Sequence, residues 1–154
     1  MATTTAFARS RKNICDGPVI ILVDTDVLID VALDRAPFAD DAAALLDALE
    51  RSASKGFIAW HSISNFYYLV SARQARAGSL QFVEAITHFL DVAPTTREHL
   101  RRALTSPLKD FEDAMQVAAA TACAADFIAT RNVRDFRKSP IPALTPSQAL
   151  ARLA

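Results

Sequence analysis

From residue 18 onward the chain alternates short continuous apolar runs with longer stretches in which apolar residues recur every three to four positions. Val19-Ile20-Ile21-Leu22-Val23 is β-branched and uninterrupted, begins after Gly17-Pro18, and suits a strand buried on both faces. It stops at Asp24-Thr25-Asp26, where Asp24 or Thr25 can cap a helix carrying Val27, Leu28, Val31 and Ala32. Pro37 interrupts, and a second helix is expected over about 38–54, with Leu45, Leu46 and Leu49 as its apolar stripe. Gly56 is expected to end that helix, and Phe57-Ile58-Ala59-Trp60 to form a second strand.

The alternation continues. Ser62 is the expected N-cap of a helix reaching about Arg76, with Ile63, Phe66, Tyr67 and Val70 on one face; Gly78 closes it. Ser79 opens the next helix, bearing Phe82, Ile86, Phe89 and Leu90, and the brief pair Val92-Ala93 precedes Pro94. Further helices are expected from Thr96 to about Leu104 and from Asp110 to Ala125, then a strand at Phe127-Ile128-Ala129. Thr145-Pro146 starts the last helix, with Pro at its favoured first position. Strands alternating with helices predict an α/β domain, a mostly parallel sheet of four to five short strands covered on both faces. Ligands of such sheets collect beyond the carboxyl ends of the strands.

Composition narrows this picture by exclusion. A chain of 154 residues, 51% apolar and 22% charged, suits a single folded domain over 18–154 behind a flexible leader at 1–17. Three glycines leave no glycine-rich phosphate loop. The 17 basic and 17 acidic side chains exclude a polycation that coats nucleic acid by bulk charge. The first 18 residues hold three of the bases and one acid, so the remainder is slightly acidic. Cys15 and Cys123 are too few for a four-cysteine zinc site or a disulfide framework. No secretory signal or membrane span is recognisable, which points to the cytoplasm.

The sheet-edge rule selects among the acids. Asp24 follows the first strand, Asp110 and Asp113 share a face at the start of a helix, and Asp135 follows the Phe127 strand. Each has a structural reading as a cap, a helix-dipole partner or a turn residue. Asp26 and Asp30 would point in other directions, and Glu112 would face solvent. Three segments delivering carboxylates to one edge would repel unless a cation neutralised them. Oxygen-only ligands suit a hard ion such as Mg²⁺ or Mn²⁺, which can activate water for attack on phosphorus. That combination suggests phosphodiester hydrolysis.

Val-Asp-Thr-Asp-Val-Leu-Ile-Asp at 23–30, Asp-Phe-Glu-Asp-Ala-Met-Gln at 110–116 and Asp-Phe-Ile-Ala-Thr-Arg-Asn-Val-Arg-Asp-Phe at 126–136 resemble the PIN domain family, over roughly 19–150. The resemblance implies a three-layer α/β/α fold and a Mg²⁺- or Mn²⁺-dependent endoribonuclease. It further implies the toxin half of a toxin–antitoxin pair, with RNA as substrate, a cognate antitoxin and a homodimer. Asp24 matches the family's first acid and Asp113 the acid at the start of the later helix. The family's Glu after the second strand is matched by Asn65, and an acid often found after the fourth strand by Asn132. Both departures keep an oxygen and remove a charge. Asp110 and Asp135 are close enough in sequence to substitute as ligands, and Thr130 is a further candidate for orienting phosphate or water. The alternative is a catalytically silent PIN-like module that binds RNA or a protein.

Arg131, Arg134, Arg137 and Lys138 form a candidate RNA-facing rim beside these acids, and Arg97, Arg101 and Arg102 a second basic cluster on one helix. Trp60 and Tyr67 or Tyr68 could stack bases, but their apolar neighbours favour core packing, which is also expected of Cys123. His61 and His88 have no partner spacing. The faces with Leu45/Leu49 or Phe82/Ile86/Phe89 suit either core or a dimer contact.

Overall fold

A computed structural model describes residues 17–153; Cys15 and the leader up to residue 16 lie outside the described residues. Five strands, β1 (Ile20–Val23), β2 (Lys55–Ile58), β3 (Leu90–Val92), β4 (Phe127–Ala129) and β5 (Ala143–Leu144), form one parallel sheet in the order β3-β2-β1-β4-β5. β1 is central, which is why its run is apolar on both faces. Ile21 and Val23 enter one core and Leu22 the other, as the two-residue period of a strand requires.

The first core is built from α1 (Thr25–Ala32), α2 (Ala39–Arg51), α3 (Trp60–Ser71), α4 (Arg76–Ile86) and α7 (Pro146–Leu153). On the other face α6 (Phe111–Ala122) packs Val117, Ala119 and Ala120 against Leu22 and Ile128, helped by Phe136 of a 3-10 turn at Val133–Phe136. α5 (Arg97–Leu104) lies against α6 through Ala103, Ala114 and Ala118, small residues that allow close approach. The architecture is therefore three-layer α/β/α. Leu45, Leu49 and Ile86 are buried in the first core, with Phe82 and Phe89 packed against it, so these faces are core and not a free dimer surface. Cys123 is buried.

Several punctuation marks behave differently from expectation. Gly56 lies inside β2, where a Cβ would collide with Leu90 and crowd Leu49; α2 already ends at Arg51. Gly78 lies inside α4, which starts at Arg76. β2 stops at Ile58, α3 is capped at Ala59, and Ser62 sits in its first turn with a fully buried hydroxyl. Trp60 and Tyr68 are each 71% exposed, so these two aromatics are not core. β5 has two residues, too short to give a periodic signal.

Phe66, fully buried, stacks on Phe82 with ring centroids 4.9 Å apart and joins α3 to α4. Phe66→Ala is expected to cost about 3–5 kcal/mol, the range for deleting a buried aromatic. Urea denaturation checks it, and a loss below about 1 kcal/mol would mean this layer is not tightly packed.

Candidate metal centre

The carboxyl edge of the sheet gathers one residue from each central connection. Asp24 leaves β1, caps α1 by accepting from Thr25 N–H, and is pinned to the next strand by its own N–H donating to Ala129 O at 2.9 Å. Thr130 leaves β4, fully buried, and its Oγ1 donates to Asp24 Oδ2 at 2.8 Å, with Asp26 Oδ2 at 3.3 Å. Asp26 also accepts from the Arg131 backbone N–H. Asp26, in the first turn of α1, is therefore turned inward beside Asp24, contrary to expectation.

Gln116 of α6 reaches under the same edge. Its Nε2 lies 2.9 Å from Asp24 Oδ1, 2.8 Å from Ser62 Oγ, 3.2 Å from Thr25 Oγ1 and 3.4 Å from Glu112 Oε1. Two amide protons are shared among four acceptors, and Thr25 Oγ1 donates to Ser62 Oγ at 2.8 Å. Two flanking carboxylates oblige the amide to present nitrogen rather than oxygen. Gln116 Oε1 is consequently left buried without a donor among the described residues.

α6 brings the remaining acids. Asp110 caps it, accepting from Glu112 N–H at 2.7 Å and Asp113 N–H at 3.2 Å. Carboxylate oxygens of Asp110, Glu112 and Asp113 lie within 4.8 Å of one another. Glu112 turns toward α3, where Asn65 Nδ2 donates to its Oε1 at 3.3 Å and His61 Nε2 stands at 3.6 Å. Glu112 was expected to face solvent; it instead places a carboxylate beside the residue that replaces an acid on α3.

The electrostatics are those of crowded carboxylates. Asp113 is pushed up from 3.8 to about 6, first by burial and then by Asp110, Asp135, Glu112 and Asp26. Asp24 is held well above the usual range by burial and by Asp26, against the Thr130 and Thr25 hydrogen bonds. Asp26 is raised too, chiefly by burial. Glu112 alone is lowered, by the His61 imidazole first and by Gln116 and Asn65, which together outweigh burial. Oxygen donors and mutual repulsion fit a hard divalent cation. Asp24, Asp110, Glu112 and Asp113 are the groups that would hold it, with Asp26 and Asp135 alongside.

The sequence model of the PIN domain family matches residues 20–134. The chain belongs to the PIN domain family. Its fold resembles a chain of the VapBC2 complex of Rickettsia felis bound to a promoter DNA fragment, with TM-score 0.66 and 13% identity over 82% of this chain and 98% of that one. It likewise resembles a chain of VapBC-1 from nontypeable Haemophilus influenzae, with TM-score 0.62 and 13% identity over 84% and 99%. No curated protein matches it in sequence.

In this PIN domain Thr130 meets Asp24, while Asp110 and Asp113 cluster with Glu112; Gln116 links the two groups by donating to Asp24 and Glu112, and Asn65 reaches Glu112. Asp135 is exposed on the 3-10 turn and acts on Asp113 through its charge. Asn132 contributes its backbone N–H, which donates to Thr130 Oγ1 at 3.0 Å. Arg131 is not part of an open rim: its guanidinium donates to Asp30 at 2.7 Å and lies 4.8 Å from the Phe38 ring. Asp26, Ser62, Glu112 and Gln116 were missed. The repeated three- and four-residue spacing of Asp110, Asp113 and Gln116–Glu112 was the available signal.

Asp113 binds its proton more tightly folded than unfolded. That stabilising contribution is complete below pH 3.8 and is lost as pH rises through about 6, with Asp24 and Asp26 acting in the same sense. In EDTA the Tm is therefore expected to fall between pH 5 and 7.5, and Mn²⁺ to raise it at pH 7.5. Asp113→Asn should reduce both effects. A Tm that is flat with pH and insensitive to Mn²⁺ would contradict the crowding.

Proposed function

We propose that the protein is a divalent-metal-dependent endoribonuclease acting as the toxin of a toxin–antitoxin pair. The observation that carries this reading is the meeting of acids from β1 and α6 at one sheet edge, with a buried polar frame that fixes them. Three carboxylates lie within 4.8 Å of one another, and no lysine or arginine among the described residues forms an ion pair with them. A divalent cation such as Mg²⁺ or Mn²⁺, if bound there, would supply positive charge for an RNA phosphate and lower the pKa of a water for attack on phosphorus.

The chain's own residues do the rest. Asp24, Asp110, Glu112 and Asp113 would hold the ion, Asp135 adds negative charge at the rim, and Thr130 orients Asp24. Gln116 holds Asp24 and Glu112 in register by donating to both. Asn65 keeps Glu112 turned inward, and Asn132 fixes the Thr130 hydroxyl through its backbone. The Asn65 departure argues for a silent module only if α3 must provide the acid. Glu112, donated by α6, supports the active reading instead.

The partners follow from likeness. The two similar structures are of VapBC complexes, which supports a cognate antitoxin for this chain. A homodimer and a cytoplasmic location are part of the same proposal; no helix of the described residues is long and apolar enough to cross a membrane.

Asp24→Asn, Glu112→Gln and Asp113→Asn are each expected to lower Mn²⁺-dependent cleavage of a labelled RNA by at least about 100-fold, the scale for losing one group that stabilises charge in a transition state. Asn can still cap α1, so Asp24→Asn should leave the fold intact. Retained cleavage in all three variants, with EDTA-sensitive wild-type activity, would refute the site.

A further inference from the structure

Next to the acids lies a pocket of about 290 Å³, close to the lower bound of roughly 300 Å³ for small-ligand sites. Asp113 and Asp135 form its boundary with the metal centre. Its other charged walls are all basic: Lys109 from the loop before α6, Arg134 from the 3-10 turn, and Arg137 and Lys138 just after it. Pro107 and Leu108 complete it with an apolar ledge.

These four cations are all exposed, and none forms an ion pair among the described residues. Arg131, just before the 3-10 turn, is by contrast held by Asp30. Four like charges from two segments converge on one small concavity, where they repel unless an anion enters. The two boundary carboxylates belong to the metal centre and offset only half of that charge.

We propose that this pocket is a nucleotide subsite, holding the RNA phosphate next to the scissile one on Lys109, Arg134, Arg137 and Lys138. The attached ribose and base lie against Pro107 and Leu108. The inference rests on the ribonuclease reading for the neighbouring site, and it adds direction: the strand leaves the metal centre past the 3-10 turn. A single strand suits the concavity, since its bases are free to lie against an apolar ledge.

The test is fluorescence anisotropy of the full chain with a labelled ten-nucleotide single-stranded RNA in EDTA across a salt series, beside Mn²⁺-dependent cleavage kinetics. Arg137→Ala/Lys138→Ala is expected to weaken binding about tenfold at 50 mM salt and to reduce the salt slope by about 0.7–1.4, roughly 0.7 per phosphate contact on a single strand. KM for cleavage should rise about as much as binding weakens, with kcat within about threefold. Arg97→Ala/Arg101→Ala, on the separate α5 cluster, should change neither. Equal weakening by the α5 pair, an unchanged slope in the pocket pair, or inorganic phosphate binding as tightly as the strand would each overturn the subsite. Loss of RNA binding in the pocket pair, with no cleavage by the wild type, would uphold the subsite and refute the nuclease instead.

Discussion

Like charges crowded at the edge of a parallel sheet impose the constraint on which the rest of this molecule depends. Asp24 is almost wholly buried, and it shares its surroundings with Asp26, Glu112 and a half-buried Asp113. Burial alone would keep such groups protonated, and proximity adds to the penalty. The fold meets part of that cost with directed donors: Thr130 Oγ1 and Gln116 Nε2 on Asp24, the Arg131 N–H on Asp26, and Gln116 with Asn65 on Glu112. None of these donors carries a full charge. Oxygen groups crowded in this way suit a hard cation.

The frame also explains how the domain is assembled. Gln116 and Ser62 belong to helices on opposite faces of the sheet, yet Nε2 and Oγ meet at 2.8 Å past its carboxyl edge. Buried amide and hydroxyl thereby tie α3, α6 and the start of α1 into one polar unit above two apolar cores. Partly satisfied networks are costly, so the unpartnered Gln116 Oε1 marks a tension that packing could have removed with a leucine. The amide so placed holds Asp24 Oδ1 at 2.9 Å. Asp30 has a different role: buried and paired with Arg131 and Arg35, it fastens the segment after β4 to α1.

The scaffold was largely legible from the chain. A central strand of a parallel sheet must be apolar on both faces, and Ile20–Val23 announces itself for that reason; the acid at its end is then placed by topology. The same rule located Asp110 and Asp113. What escaped was rotation about helix axes. Glu112 lies about 100° from Asp113, and no periodicity fixes which of the two turns inward; a long, flexible glutamate can reach Asn65 from a position where aspartate could not. Ser62 and Gln116 look like ordinary polar helix residues until the neighbouring helix is in place. Gly56 and Gly78 were misplaced because glycine marks either a break or a close approach, and Gly56 serves the second purpose against Leu90. The basic rim was half legible: Arg134, Arg137 and Lys138 stay open, whereas Arg131 is drawn inward by Asp30, an acid distant in sequence.

Under the proposed function, Glu112 of α6 restores the charge that α3 lacks at Asn65 and so completes a divalent-cation site. Calorimetric titration of Mn²⁺ into the wild-type protein and into Glu112→Gln, in two buffers of different ionisation enthalpy at pH 6, addresses it most directly. One ion should bind the wild type with proton release, since Asp113 titrates near that pH, and Glu112→Gln should weaken binding at least tenfold. Binding of equal strength in both proteins, or no binding at millimolar Mn²⁺ in the wild type, would contradict it.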